Sequence, residues 1–287
     1  MQHGYITSQG LKLYYEIEGT GAPLLLLNGG PGFPHDYLKD LRPLASDVQL
    51  IFFDQRGTGK SDKTDPSGYT IDAHVEDVEQ LRRELGLERC GVFGHSWGGM
   101  LAQAYVLKYP DHVSKLILAD TFSSIEDCNE TLACMRASVP DEVRAVYDKY
   151  EREGLYVGRD RYPDEYQAAL DVAYEPVSIS VPPPPALQNM FGNIAYDVYR
   201  AMWGEETDFK VTGTLAQFDV ESRLHQIRVP TLVIVGASDM PTIAMAGKTA
   251  RAIPHARLEV FAHSRHFPFL EEPDKFFHVM REFLASA

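Results

Sequence analysis

Short apolar segments of the length of β-strands alternate along the chain with longer segments whose apolar residues recur at helical spacing. The segment at 23–27 is apolar at nearly every position, which is typical of a strand covered on both faces. The predicted strands are 11–18, 23–27, 48–54, 90–94, 114–119, 230–236 and 257–261. The predicted helices are 71–85, 97–109, 242–253 and 274–285. This alternation predicts an α/β protein with a mostly parallel central sheet and helices on both faces.

The alternation stops between residues 122 and 217, where the sequence is mostly helical, polar and aromatic. Four consecutive prolines at 182–185 exclude a helix interior or a central strand at that point. We therefore expect a core formed by residues 1–121 and 218–287, with a helical cap formed by 122–217. Such a cap, placed over the carboxyl ends of the strands, would enclose a substrate pocket.

The sequence GHSWG at 94–98 matches the G-x-S-x-G motif, in which a serine nucleophile lies on a sharp turn. It lies between the predicted strand 90–94 and the predicted helix 97–109, which is the context that this motif requires. The turn would expose the Ser96 hydroxyl at a helix N-terminus, where developing negative charge is stabilised. Ser96 is therefore the predicted nucleophile.

A serine nucleophile needs a base, and the base needs a group that orients it. Enzymes with this type of turn carry an acid and then a histidine later in the chain. Asp239 follows the strand 230–236 and is the predicted acid, with Asp120 as its main rival and Asp219 as a weaker one. His266 follows the last strand and is the predicted base, whereas His263 is expected to be a surface or packing residue.

The glycine-rich sequence NGGPG at 28–32 directly follows the strand 23–27 and would face Ser96. Adjacent glycines let backbone N–H groups approach a substrate oxygen closely. We predict an oxyanion hole formed by the N–H of Trp97 and that of Gly30, or of Gly29 in its place.

The 287-residue chain has a formal net charge of −14, which argues against a nucleic-acid partner and against an anionic membrane surface. Its three cysteines favour a reducing, cytoplasmic location. We expect no signal peptide at residues 1–5 and no membrane span, since no stretch of about 18 apolar residues occurs. Scattered histidines and the absence of a phosphate-binding loop predict a site without metal or cofactor.

Three motifs together resemble the proline iminopeptidase family of serine aminopeptidases, which have the α/β-hydrolase fold. They are NGGPG at 28–32, DQRGTGKS at 54–61 and GHSWGG at 94–99. The tricorn-interacting aminopeptidase subgroup is the most similar, through HDYL at 35–38, VYRAMWG at 198–204 and TGT at 212–214. The resemblance covers nearly the whole chain and is weakest between about 122 and 195.

The resemblance implies removal of a small N-terminal residue, often proline, from a short peptide. Relatives bind the α-ammonium with acidic residues, and Asp208 matches one of these positions, although a solvated cap residue beside Glu205 and Glu206 is the alternative interpretation. Met240 occupies the second acidic position and would line the pocket, while Asn28 replaces a family histidine. Asp208, Met240 and Asn28 are therefore the candidate substrate-binding residues.

Met240 also motivates a second hypothesis, in which an amidase, esterase or lactonase acts on a small apolar substrate without a free amine. A third hypothesis is a binding protein of the same fold without catalysis. Ser96 argues against halide and epoxide chemistry, which on this fold generally needs an aspartate nucleophile. The 54–61 loop is expected to support the site, with Arg56 ion-paired to a nearby carboxylate.

Overall fold

Eight strands form one sheet in the computed structural model, which describes residues 2–155 and 160–286. The strands are Gln2–Ser8 (β1), Leu11–Glu18 (β2), Pro23–Leu27 (β3), Gln49–Phe53 (β4), Cys90–His95 (β5), Val113–Ala119 (β6), Thr231–Gly236 (β7) and Ala256–Phe261 (β8). Their spatial order is β1-β2-β4-β3-β5-β6-β7-β8. The pairs β1–β2 and β2–β4 are antiparallel, and all the other neighbouring pairs are parallel. The predicted α/β class with a mostly parallel sheet is confirmed.

The described α-helices follow the strands or cluster between β6 and β7. They are Ile71–Glu84 (α1), Trp97–Lys108 (α2), Ile125–Ser138 (α3), Asp141–Glu153 (α4), Asp164–Tyr174 (α5), Pro185–Gly192 (α6), Tyr196–Met202 (α7), Ile243–Ala252 (α8), Pro268–Glu271 (α9) and Pro273–Ala285 (α10). The predicted helices correspond to α1, α2, α8 and α10 to within a few residues.

Two hydrophobic clusters cover the two faces of the sheet, as the alternation of side chains along a strand requires. On β3, Leu25 and Leu27 belong to the cluster that includes α1 and α2, whereas Leu24 and Leu26 belong to the cluster that includes α10. All four side chains are at most 1% exposed. Burial on both faces explains why β3 is apolar throughout.

The stretch expected to form the cap contains α3 to α7, apart from residues 156–159, which lie outside the described residues. Helix α3 joins the first cluster through Cys128 and Leu132. Helix α6 joins the second cluster through Leu187 and Met190. The proline run lies before α6 and ends at its first residue, the one helical position where a missing N–H costs nothing.

The elements that were not predicted include strand β1 and a long 3₁₀ segment. Strand β1 carries exposed polar residues at its first positions, so its alternation is weak. The 3₁₀ segment His35–Ser46 contains an internal proline, Pro43, which obscures helical spacing. Within the described part of the chain, no helix is both long and apolar enough to cross a bilayer.

Candidate active site

Ser96 lies on the tight turn between β5 and α2. Its backbone angles, φ 56° and ψ −125°, lie in a region that a non-glycine residue rarely adopts. Two hydrogen bonds stabilise this strained conformation. The Ser96 N–H donates to the Ala119 carbonyl over 2.9 Å, and Thr121 Oγ1 donates to the Ser96 carbonyl over 2.7 Å. Ser96 is partly exposed between two buried neighbours, His95 and Trp97. The turn therefore presents the hydroxyl at the carboxyl end of the sheet.

The elbow glycines leave room for this turn. A Cβ atom at Gly94 would collide with the carbonyl of Gly98, and one at Gly98 would collide with the carbonyl of Leu27. A Cβ atom at Gly99 would collide with the side chain of Thr121. At all three positions the neighbouring atoms are therefore too close to leave room for a side chain.

His266 and Asp239 are brought together by the loops that follow β8 and β7. His266 Nδ1 lies 2.7 Å from Asp239 Oδ1, and the Asp239 side chain is completely buried while that of His266 is 13% exposed. The same Asp239 oxygen accepts the Met240 N–H over 2.6 Å. The His266 N–H donates to the Ser178 carbonyl over 3.0 Å, which fixes the backbone beneath the ring. A buried carboxylate therefore holds the imidazole through Nδ1 and leaves Nε2 for proton transfer.

The rival residues have other surroundings. Asp219 and His263 are exposed, and the Asp219 carboxylate accepts the N–H of Glu221 within its own loop. Asp120 is buried beside Asp239, where its Oδ1 accepts the Gly236 N–H over 3.0 Å. Of the three candidate acids, only Asp239 hydrogen-bonds the His266 ring within the described part of the chain.

Ser96 Oγ and His266 do not hydrogen-bond directly in this structure, and Ser96 Oγ has no hydrogen-bond partner among the described residues. Catalytic hydrogen bonds are commonly long before substrate binds and shorten in the reacting complex. In residues 2–155 and 160–286, no group of three or more His, Cys, Asp or Glu side chains is arranged to hold a metal ion.

Sequence reasoning missed a buried pair of residues, Tyr37 and His95. The Gly29 N–H donates to the Tyr37 hydroxyl over 2.7 Å, and this hydroxyl lies 2.8 Å from His95 Nδ1. His95 Nε2 lies 2.8 Å from the carbonyl of His266. His95 is the variable second residue of the motif, and nothing in the sequence marks its side chain as a link between loops.

The loop at 28–32 packs directly on the elbow. A Cβ atom added at Gly29 would lie 3.0 Å from Ser96 Cβ, and Gly30 has a φ of 117°, which favours glycine. The Gly29 N–H is bonded to Tyr37, whereas the Trp97 N–H is the first of α2 and has no acceptor inside the helix. Of the three N–H groups predicted for an oxyanion, that of Gly29 is thus already used, and Gly30 and Trp97 stay the predicted donors.

Asn28 supports this loop from below. Its side-chain Nδ2 donates to the Phe33 carbonyl, and its own carbonyl accepts Gln55 Nε2 over 2.8 Å. Gln55 Oε1 in turn accepts the Trp97 indole N–H over 2.8 Å. Asn28 is only 1% exposed, so the structure places its side chain against the loop backbone and not on an open surface.

Arg56 forms the expected ion pair, and its partner is Asp77 of α1. Two parallel bonds of 2.7 and 2.8 Å join the guanidinium to the carboxylate, and both side chains are at most 3% exposed. Arg56 also donates to the carbonyls of Gly68 and Ala73. This buried network anchors the 54–61 loop beside the loop at 28–32, the proposed oxyanion loop, as the sequence predicted.

Asp208 is buried and surrounded by tyrosines, so the interpretation as a solvated cap residue is wrong. Its side chain accepts hydrogen bonds from Tyr162 and Tyr199 at Oδ1 and from Tyr174 at Oδ2, with lengths of 2.8, 2.5 and 2.7 Å. Its carbonyl accepts the indole N–H of Trp203. Burial raises the pKa of the Asp208 carboxyl above its ordinary value, although the three hydroxyls act in the opposite direction.

Met240 is partly buried and packs against the first hydrophobic cluster. Its side chain therefore adds apolar surface directly after Asp239, and its role as a pocket lining stays a prediction.

Comparison with known proteins places the chain in a family. The model of the α/β-hydrolase fold family matches residues 22–273. A proline iminopeptidase of Saccharolobus solfataricus is 32% identical, with 99% of this chain and 92% of the relative covered. The chain belongs to the proline iminopeptidase family of α/β hydrolases. It is therefore an enzyme, a serine hydrolase, and the hypothesis of a non-catalytic binding protein is wrong.

Two solved structures agree with this placement. The proline iminopeptidase of Mycobacterium smegmatis superposes with a TM-score of 0.85 at 28% identity, covering 99% of this chain and 97% of that one. The structure of VinJ superposes with a TM-score of 0.88 at 30% identity, covering 99% and 98%. Both comparisons span the full core and the helices between β6 and β7.

Proposed function

We propose that the protein hydrolyses the amide bond that follows a small N-terminal residue, with proline as the preferred residue. The observation that carries this proposal is the 2.7 Å hydrogen bond between His266 and Asp239 beside the Ser96 elbow. It occurs in a chain that belongs to the proline iminopeptidase family. The location of all three residues at the carboxyl ends of β5, β7 and β8 supports a single catalytic centre.

Ser96 Oγ attacks the carbonyl carbon of the N-terminal residue, and His266 Nε2 accepts its proton. Asp239 holds the imidazole through Nδ1 and stabilises the imidazolium that forms. The N–H groups of Gly30 and Trp97 bind the developing oxyanion. Collapse of the tetrahedral intermediate transfers the proton from His266 to the leaving amine and forms an acyl-enzyme on Ser96, which water then hydrolyses by the same steps.

We propose that residues 122–217 form the cap and that Asp208 within it binds the α-ammonium of the substrate. Its Oδ1 already accepts two tyrosine hydroxyls, whereas Oδ2 accepts, among the described residues, only that of Tyr174 and retains capacity for a further donor. An ammonium placed there would favour the charged carboxylate and offset part of the cost of burying it. Met240 would line the side-chain pocket, and Asn28 would hold the oxyanion loop in place.

Hydrolysis of prolyl 4-nitroanilide, compared with its N-acetylated form, tests this proposal. The enzyme should cleave the free substrate and lose most of its activity on the blocked one. Asp208→Asn removes the negative charge that would pair with the α-ammonium, so it should lower kcat/KM for the free substrate by about 10- to 100-fold. It should leave the slow hydrolysis of the N-acetylated substrate unchanged, since that substrate carries no ammonium. Glu205→Gln, in the same part of the cap but exposed, is the matched control.

A second candidate function rests on Met240, which gives this chain one acidic residue fewer beside Asp239 than amine recognition commonly uses. In that case the enzyme is an amidase, esterase or lactonase for a small apolar acyl group. Equal or faster turnover of the N-acetylated substrate would support this function and exclude the aminopeptidase.

A further inference from the structure

A second buried carboxyl group lies behind the proposed catalytic acid. Asp120 directly follows β6 and is 1% exposed, with a φ of 54°. Its N–H donates to the Ile234 carbonyl over 2.9 Å, and its Oδ1 accepts the Gly236 N–H over 3.0 Å. Hydrogen bonds to the β7 backbone therefore hold both the main chain and the side chain of this residue.

The carboxyl groups of Asp120 and Asp239 lie within hydrogen-bonding reach of each other. Asp239 Oδ1 is occupied by His266 and the Met240 N–H. The Oδ2 atoms of both aspartates are buried, and neither receives a hydrogen bond from a donor among the described residues. Two carboxylates this close cannot both be ionised, and one proton between them would satisfy both of the remaining oxygens.

We propose that Asp120 is a neutral carboxylic acid whose proton is donated to Asp239 Oδ2, so that Asp120 positions the carboxylate that orients His266. The role of Asp239 in this statement rests on the proposed function, whereas the shared proton does not. Asp120 is thus a positioning residue, which acts through Asp239.

The electrostatic surroundings agree with a neutral Asp120. Burial raises the pKa of the Asp120 carboxyl well above its ordinary value of 3.8, and the negative charges of Asp239 and Glu271 raise it further. Glu271 itself is held by the N–H groups of Arg265 and Phe267. The hydrogen bond from the Gly236 N–H acts in the opposite direction.

A neutral Asp120 gives the pair a single negative charge, which stays on Asp239 and faces the imidazolium. An ionised Asp120 would instead add a second negative charge near His266. These two states differ in two measurable quantities, the proton on Asp120 and the position of the acid limb of the kcat/KM profile.

Asparagine at position 120 reproduces the neutral acid, because its carbonyl can accept the Gly236 N–H while its amide N–H donates to Asp239. Asparagine also tolerates the left-handed backbone at this position. Alanine offers no donor and leaves Asp239 Oδ2 buried without a partner. Comparing Asp120→Asn with Asp120→Ala therefore separates the effect of the hydrogen bond donated to Asp239 from the effect of the charge at position 120.

The experiment measures hydrolysis of 4-nitrophenyl acetate against pH for wild type, D120N, D120A and the control Asp219→Asn, which removes an exposed carboxylate. D120A should lower kcat by about 10- to 100-fold with little change in KM, and D120N should recover activity to within about threefold of wild type. The acid limb of the kcat/KM profile should stay in place in D120N and in the control. A fall of this limb by about one pH unit in D120N would show an ionised Asp120 and overturn the proposal.

Infrared difference spectroscopy between wild type and D120N at neutral pH tests the proton directly, without turnover and without the D120A variant. The proposal expects loss of a C=O stretch of a protonated carboxylic acid in D120N. Retention of every such band would overturn it. Failure of the wild-type enzyme to hydrolyse any acyl substrate would contradict the proposed function alone, since the infrared result still decides the state of Asp120.

Discussion

His95 donates from Nε2 to the backbone carbonyl of His266 over 2.8 Å, with the two imidazole rings 4.8 Å apart. Burial holds the pKa of His95 well below its ordinary value of 6.5, and the nearby His266 lowers it further, so His95 is neutral. Its Nδ1 then accepts the Tyr37 hydroxyl, which itself accepts the Gly29 N–H. A continuous chain of donors and acceptors thus joins the oxyanion loop to the backbone of the proposed base.

Tyr37→Phe should lower kcat/KM for an activated ester by about 10- to 100-fold, because it leaves the Gly29 N–H and His95 Nδ1 buried without partners. Tyr105→Phe is the matched control, since it removes one buried hydroxyl, bonded to Glu79, away from the elbow. Steady-state kinetics and thermal melts of both variants separate an effect on catalysis from an effect on stability. Equal loss of activity in the two variants would argue against a role for the Tyr37–His95 chain.

Gly98→Ala should destabilise the fold by about 1–3 kcal/mol and abolish labelling of Ser96 by a fluorophosphonate, because the added Cβ meets the Leu27 carbonyl. Gly192→Ala, where a Cβ has open space, should change the free energy of unfolding by less than about 1 kcal/mol. Denaturant unfolding measures both values. An active and stable Gly98→Ala variant would show that the elbow relaxes more easily than its packing indicates.

Asp77→Ala should destabilise the protein by about 3–5 kcal/mol, because it leaves the Arg56 guanidinium buried without its carboxylate. The exposed pair Lys63–Asp197 provides the comparison, and Asp197→Ala should cost less than about 1 kcal/mol. Urea unfolding at two salt concentrations measures both, and only the exposed pair should depend on salt. A small effect of Asp77→Ala would mean that water replaces the carboxylate.

Stability should depend on pH through Asp208, whose pKa is raised in the folded protein mainly by burial. The folded state then binds this proton more tightly than the unfolded state, so the contribution of Asp208 is fully present below its ordinary pKa of 3.8 and is lost as the pH rises through the folded value. The free energy of unfolding of wild type minus that of Asp208→Asn should therefore decline as the pH rises. A difference that grows with pH would require a lowered pKa instead.

The fold was largely readable from the chain because each central strand is a short apolar run between turn residues, and each flanking helix has its own periodic face. The 3₁₀ segment His35–Ser46 could not be predicted from the sequence, because its internal proline interrupts the helical spacing of apolar residues and because its burial depends on α6 and α10. Strand β1 lies at the edge of the sheet beside β2 and has a mostly exposed beginning, so its pattern carried little signal.

The candidate site divides in the same way. The candidates for nucleophile, acid and base could be identified from the sequence, because the elbow and the ends of the strands are local features. Asp239 and Asp120 look alike in sequence, since each comes soon after a parallel strand. Only the folded loop, in which the His266 ring meets Asp239, separates them, and it also places Asp120 directly behind.

The sequence by itself determined the fold class, the position of Ser96 and the type of reaction, because strained turns and buried strands need particular residues at particular spacings. Tertiary structure alone decided that Asp208 is enclosed by three tyrosines, that Asn28 and Gln55 tie the oxyanion loop to Trp97, and that His95 connects to Tyr37. These contacts join residues distant in sequence, and a buried polar group reveals its partner only when folding removes water as an alternative.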